Sequence, residues 1–162
     1  MNYIQIVDGK AYIPKSEILN IEIEDRFKFK KDFIKSRTGI EKRYYAINES
    51  IEEMAVKAVE KIDIDKLQDV EMIIVATTSS NNAMPGISNQ IQKHFKITKC
   101  ICLDILAGCG GFINAIDIAK IYIETGRINK ALVVGVDKLS KTIDTNDLGT
   151  MAVLADGAGA VL

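Results

Sequence analysis

Cys109 stands in the run Leu106-Ala107-Gly108-Cys109-Gly110-Gly111-Phe112, where three glycines surround a thiol between an apolar strand pattern and a helical one. Glycines at such a junction let the backbone turn sharply and let a ligand approach the amides closely. The start of the following helix presents unpaired N–H groups and the positive end of the helix dipole. That setting favours a thiolate, the nucleophilic form of cysteine. The same amides suit the oxyanion formed when a thiolate attacks a thioester carbonyl. Residue types alone leave two roles open for Cys109. It is an activated nucleophile, or a small apolar side chain filling a tight strand–helix junction.

The other reactive groups are less specific. Cys100 and Cys102 alternate along a strand pattern and share a face with Asp104, which reads as a pair of half-buried strand thiols. Their spacing to Cys109 and to His94 matches no zinc finger or ribbon, so no metal is expected. Gly108 to Gly111 lack the spacing of a dinucleotide fingerprint. Asp156-Gly157-Ala158-Gly159 reads as a turn leading into a strand rather than a helix, which argues against a phosphate cradle. Arg26, Lys28, Lys30, Lys31, Lys35, Arg37, Lys42 and Arg43 form a basic stretch. Such a run is a solvated face, or a mouth for a phosphate-rich carrier such as coenzyme A, with Arg37 making bidentate contacts. Phe29 and Phe33 are interleaved with it, where an aromatic ring can pack beside an adenine.

The elements that position these residues alternate. Tyr3 to Val7 reads as an opening strand ended by Asp8-Gly9. The period from Asn20 to Lys35 is ambiguous. Ile51, Met54, Ala55, Ala58 and Val59 recur at helical spacing, with Asn48 or Ser50 as the cap. Met72 to Thr78 is a continuous, largely β-branched run of the kind buried on both faces of a sheet. Pro85 opens a helix to about Phe95. Ile101 to Ile105 is a strand, Gly110 to Thr125 a helix closed by Gly126, and Ala131 to Val136 another strand. The helix after Cys109 is apolar around most of its circumference, the mark of a buried helix. Short links between alternating strands and helices imply a largely parallel sheet with helices packed on it.

Composition fits that architecture. The 162 residues suffice for one packed domain, and 48% hydrophobic with 27% charged residues is ordinary for a soluble protein. A net charge of −1 gives no field that would draw it to nucleic acid or an anionic membrane. No apolar run approaches the length of a membrane span, and the first residues lack a signal-peptide pattern. Three cysteines, an odd number, fit reduced thiols and a cytoplasmic location.

Taken in order, several motifs resemble one family. They are Arg37-Thr38-Gly39-Ile40 with Lys42-Arg43, Ile74 to Thr78, Met84-Pro85, Leu103 to Phe112, Ala131 to Gly135, and Asp156 to Ala160. The sequence is similar to the N-terminal half of β-ketoacyl-acyl-carrier-protein synthase III, a condensing enzyme that initiates fatty-acid synthesis. The resemblance implies an α/β thiolase-like half, with a mixed, mainly parallel five-stranded sheet and helices on both faces. Residues 1–162 would form this cysteine-bearing domain, the second half lying outside the chain.

It also implies acylation of Cys109 by an acyl-coenzyme A, which serves as substrate rather than cofactor. Decarboxylative condensation with a malonyl-acyl-carrier protein would follow, using a histidine and an asparagine of the second half. Arg37 matches an arginine at the coenzyme A entrance, and Phe33 replaces a tryptophan that stacks on adenine. Thr78 falls near the acyl pocket, and Met84 falls where a residue crosses a homodimer to close the partner's pocket. Leu148 replaces an arginine on the other side of the adenine. Two alternatives stand beside this reading: a secondary-metabolite synthase with another starter, and a non-catalytic partner subunit or fragment.

Overall fold

The computed structural model describes residues 3–80 and 84–162. A five-stranded sheet forms its centre, in the order β1 (Gly9–Tyr12), β7 (Asp156–Val161), β6 (Ala131–Lys138), β4 (Met72–Ala76), β5 (Ile101–Ile105). β4 pairs in parallel with β5 and β6, whereas β7 runs antiparallel to β6 and to β1. The sheet is therefore mixed and mainly parallel, as expected: β1, β6, β4 and β5 run in one direction and, of the five strands, β7 runs against them. The reversed strand is the last one. Asp156 to Ala160 was expected to turn into a strand, yet all five residues already belong to β7, which returns against β6.

β4 is buried along its whole length because both sheet faces are covered. Ile73 and Val75 face a cluster containing Met54, Ala58 and Val59 of α3 (Ile51–Val59) and Ile87 and Ile91 of α4 (Ile87–Phe95). Met72, Ile74 and Ala76 turn the other way, against Ala115 and Ala119 of α5 (Gly111–Glu124). Each such large apolar side chain, fully buried, contributes about 1.5–3 kcal/mol. Ser50 is the cap of α3: its hydroxyl accepts from the Glu53 N–H at 3.1 Å while the Glu53 carboxylate accepts from the Ser50 N–H at 2.8 Å. Asp104, on β5, accepts from the Ile87 and Ser88 N–H groups and so closes the start of α4. Gly86 must stay small for this, since a Cβ there would lie 2.7 Å from Asp104 Oδ2.

Three expectations change. Tyr3 to Val7 form no strand; the first strand is Gly9–Tyr12, and Val7 contributes one hydrogen bond, to the Leu162 carbonyl. The ambiguous stretch resolves into α1 (Asn20–Arg26) and α2 (Phe33–Thr38), which join α6 (Leu148–Val153) around Ile23, Ile34, Met151 and Ala152. A two-stranded ladder of β2 (Ser16–Leu19) and β3 (Lys42–Tyr45) borders this lobe. Finally, α5 is buried only along Gly111, Ala115 and Ala119; Ile113 is 66% and Ile121 50% exposed. Its small-residue stripe faces the sheet, Ile116, Ile118 and Ile123 pack partly buried against the same cluster, and Ile113 and Ile121 turn outward.

Candidate active site

Cys109 lies at the C-terminal end of the parallel strands, where α/β sheets place their ligands. The chain leaves β5 at Ile105 and makes a single 3-10 turn over Gly108–Gly110 before entering α5. Gly108 has φ +55°, a left-handed conformation that glycine adopts without strain. Two close approaches seat the turn. A Cβ on Gly111 would meet Ala76 Cβ at 3.3 Å, and a Cβ on Gly135 would meet the Phe112 ring at 3.0 Å. The start of α5 thus sits tightly between β4 and β6, with Cys109 held on the exposed side. The Gly111 N–H is taken by the Gly108 carbonyl, so an oxyanion would have to use other amides of the turn.

A cavity of about 360 Å³ opens beside Cys109. Its walls come from the end of β4 (Ala76, Thr77), the end of β6 (Gly135 to Asp137), Phe112, and the start of β7. Two carboxyl groups, Asp137 and Asp156, belong to this wall, and no lysine, arginine or histidine does. Asp156 is buried: its carboxylate accepts from the Ala46 N–H at 2.7 Å, the Ser140 N–H at 2.8 Å and the Ser140 hydroxyl at 2.6 Å. Asp137 Oδ1 accepts from the Thr78 N–H (2.8 Å) and from the hydroxyls of Thr77 (3.2 Å), Thr78 (3.0 Å) and Ser79 (2.8 Å). Asp137 carried no recognisable signal in the sequence, and Asp156 stood out only as the first residue of a glycine-rich motif. Each becomes legible only when β4, β6 and β7 are laid side by side.

The remaining candidates fall in three places. Thr78 adjoins the cavity through Asp137. Met84 is 81% exposed on the loop before α4. Phe33 and Arg37 sit together on α2, where Phe29 stacks on Phe33 with centroids 4.2 Å apart and the Arg37 guanidinium lies 4.7 Å from the same ring. Phe33 is therefore held between Phe29 and Arg37, and Phe29 is the exposed member of the stack. Leu148 packs in the same lobe as Phe33.

The basic run is not a uniform face. Lys35 pairs with Glu41 and Lys42 with Glu17. Arg43 is buried, donating to the Asn20 side chain at 2.5 Å and the Ala152 carbonyl at 3.2 Å, so it braces the lobe rather than lining a mouth. Glu24, also buried, accepts from the Asp32 and Ile34 N–H groups and holds the start of α2.

His94 sits at the far end of α4, with its ring nitrogen 3.1 Å from Glu60, and lines a different cavity from Cys109. Cys100 and Cys102 lie 3.6 Å apart sulfur to sulfur, on the face of β5 under α4. Burial pushes both thiols up, that of Cys102 to about 12. Because only the thiolate attacks, iodoacetamide at neutral pH is expected to modify exposed Cys109 well before the other two. Peptide mapping of a time course checks this; equal labelling of all three would contradict the geometry. Among the described residues, no group of three or more histidine, cysteine or acidic side chains is arranged to hold a metal ion.

Comparison with known proteins agrees with this architecture. The model of the 3-oxoacyl-[acyl-carrier-protein] synthase III family matches residues 103–162, the stretch from β5 through Cys109 to β7. A β-ketoacyl-[acyl-carrier-protein] synthase III of Serratia proteamaculans is 38% identical over 165 residues, covering 99% of this chain and 52% of the relative. Over nearly its whole length the chain is similar to β-ketoacyl-acyl-carrier-protein synthases III. It spans about half the length of the curated relatives it matches. The crystal structure of the Aquifex aeolicus synthase III superposes with a TM-score of 0.90 at 33% identity, over 96% of this chain and 52% of that one. The priming β-ketosynthase of the R1128 polyketide pathway has a TM-score of 0.87 at 27% identity, over 97% and 48%. The five-stranded layer and its flanking helices are thus the thiolase-like fold of these synthases.

Proposed function

We propose that this chain is the cysteine-bearing half of a condensing enzyme, in which Cys109 accepts an acyl group from an acyl-coenzyme A. The observation that carries the reading is the exposed Cys109, set on a glycine turn at the C-terminal edge of the sheet and opening on its own cavity. The thiolate attacks the thioester carbonyl, the coenzyme A thiol leaves, and a new thioester forms on Cys109. The acylated cysteine then condenses with a malonyl-acyl-carrier protein, which loses carbon dioxide. This places the enzyme at the initiation of fatty-acid synthesis.

Arg37 and the Phe29–Phe33 stack form the coenzyme A entrance in this reading, supported by their joint position on and beside α2. Thr78 borders the acyl site. Met84, exposed ahead of α4, reaches a second copy in a homodimer. Three free cysteines suit a cytoplasmic location. No helix among the described residues is long and apolar enough to cross a membrane. Decarboxylation is assigned to residues outside this chain, since His94 is engaged with Glu60 away from Cys109.

Incubating the chain with acetyl-coenzyme A and malonyl-carrier protein should give acylated chain and no β-ketoacyl product. Robust β-ketoacyl product from this chain alone would contradict the division of labour. The likeness to a polyketide priming enzyme favours one second reading, a secondary-metabolite synthase with a different starter. Acylation by longer or branched thioesters in preference to acetyl-coenzyme A would select it.

A further inference from the structure

The end of β4 carries an unusual density of hydroxyls, Thr77-Thr78-Ser79-Ser80, beside a nucleophile whose proposed substrate is an acyl chain. Unless satisfied, such hydroxyls would bind water or polar substituents in the cavity. β4 and β6 are parallel neighbours, with Ala76 opposite Gly135, so the residues just beyond them meet Asp137. There, a single oxygen, Asp137 Oδ1, collects the hydroxyls of Thr77, Thr78 and Ser79 together with the Thr78 N–H. The acceptor side of the Ser79 hydroxyl is used as well, by the Lys138 N–H at 2.8 Å, and the Thr77 hydroxyl accepts from the Ser79 N–H at 3.2 Å. Asp137 and Thr77 are themselves part of the cavity wall.

A hydroxyl has one proton to give. Resting on the acyl-transfer reading above, we propose that Asp137 is a positioning residue that sets acyl specificity. By taking the protons of Thr77, in the wall, and of its chain neighbours Thr78 and Ser79, it leaves the described wall beside Cys109 without a free hydroxyl donor, and the site prefers unsubstituted acyl groups over hydroxylated ones. Asp137 touches no reacting atom in this role. It acts through Thr77 and Thr78, and its own hydrogen bonds stitch the two strand ends that face the nucleophile.

The test compares acylation of the chain by butyryl-coenzyme A and by 3-hydroxybutyryl-coenzyme A, read by intact mass. The parent should prefer the butyryl group. Asp137→Ala frees the three hydroxyls, and the preference should narrow by roughly three- to tenfold, the worth of one newly available hydrogen bond. Adding Thr78→Val to Asp137→Ala removes one freed donor and should restore part of the preference, which a purely structural role would not do. Asp137→Leu keeps roughly the side-chain volume without any acceptor oxygen, and covers the case in which the alanine variant does not fold; its preference should narrow as that of the alanine variant does.

An acylated, folded Asp137→Ala or Asp137→Leu chain with the parent's ratio would overturn the inference alone. A parent chain that takes no acyl group from either thioester would instead overturn the acyl-transfer reading, and the specificity role of Asp137 with it.

Discussion

A chain carrying Cys109→Ala is expected to fold as the parent does and to lose acyl transfer from acetyl-coenzyme A by at least about a thousandfold. The two halves of that expectation have different origins. Folding survives because Cys109 is exposed, on a turn whose geometry comes from Gly108, Gly111 and Gly135 rather than from the thiol. Exposed substitutions away from special backbone positions usually change stability by less than about 0.5 kcal/mol. Transfer is lost because alanine offers no atom to hold the acyl group, and the remaining thiols do not substitute. Cys100 and Cys102 face α4, and burial keeps both largely protonated at neutral pH. Thermal unfolding and intact-mass analysis of one sample separate the effects. An unstable variant would make Cys109 a packing residue, the other role open to it from the sequence.

Asp156→Ala is expected to cost about 3–5 kcal/mol, enough to unfold a domain of ordinary marginal stability. Its carboxylate satisfies two backbone N–H groups, of Ala46 and Ser140, from segments far apart in the chain, and the Ser140 hydroxyl besides. Alanine leaves both amides without that acceptor, and each buried unsatisfied donor costs about 1–3 kcal/mol. Asparagine is not a neutral replacement. Its one carbonyl oxygen can serve only one of the two amides, and its NH₂ group then faces the other donor. Chemical denaturation of the parent, Asp156→Asn and Asp156→Ala should rank them in that order of decreasing stability. A parent-like midpoint for Asp156→Ala would contradict the role assigned to this carboxylate.

Much of the fold is written in local pattern, and the exceptions share a cause. β4, β5, β6 and α5 match their expected spans within about two residues at each end, because their runs are long, apolar and bounded by turn or capping residues. The opening strand was misplaced since Tyr3 to Val7 are mostly apolar but pair with no strand. β1 is instead fixed by pairing with β7, at the other end of the chain. The lobe of α1 and α2 was unreadable because it is held by buried polar groups, Glu24, Asn20 and Arg43, that look like surface residues in a charged stretch.

Cys109 was legible as a reactive candidate from its glycines and the helix start they lead into, and as an acyl acceptor only through the family resemblance. The roles of Asp137 and Asp156 were not legible, since Asp137 bonds Thr77, 60 residues away, and Asp156 bonds Ala46, 110 residues away. Arg43 shows the converse error: a charge counted with its neighbours as a solvated or ligand-binding run is the brace beneath α6.

The most direct test of acyl transfer is to locate the acyl group. After incubation of the reduced chain with acetyl-coenzyme A, digestion and mass spectrometry should find one acetyl group, on the peptide bearing Cys109, removable by hydroxylamine as a thioester is. No acetylation, or acetylation on the peptide bearing Cys100 and Cys102, would contradict the assignment of Cys109 as the nucleophile.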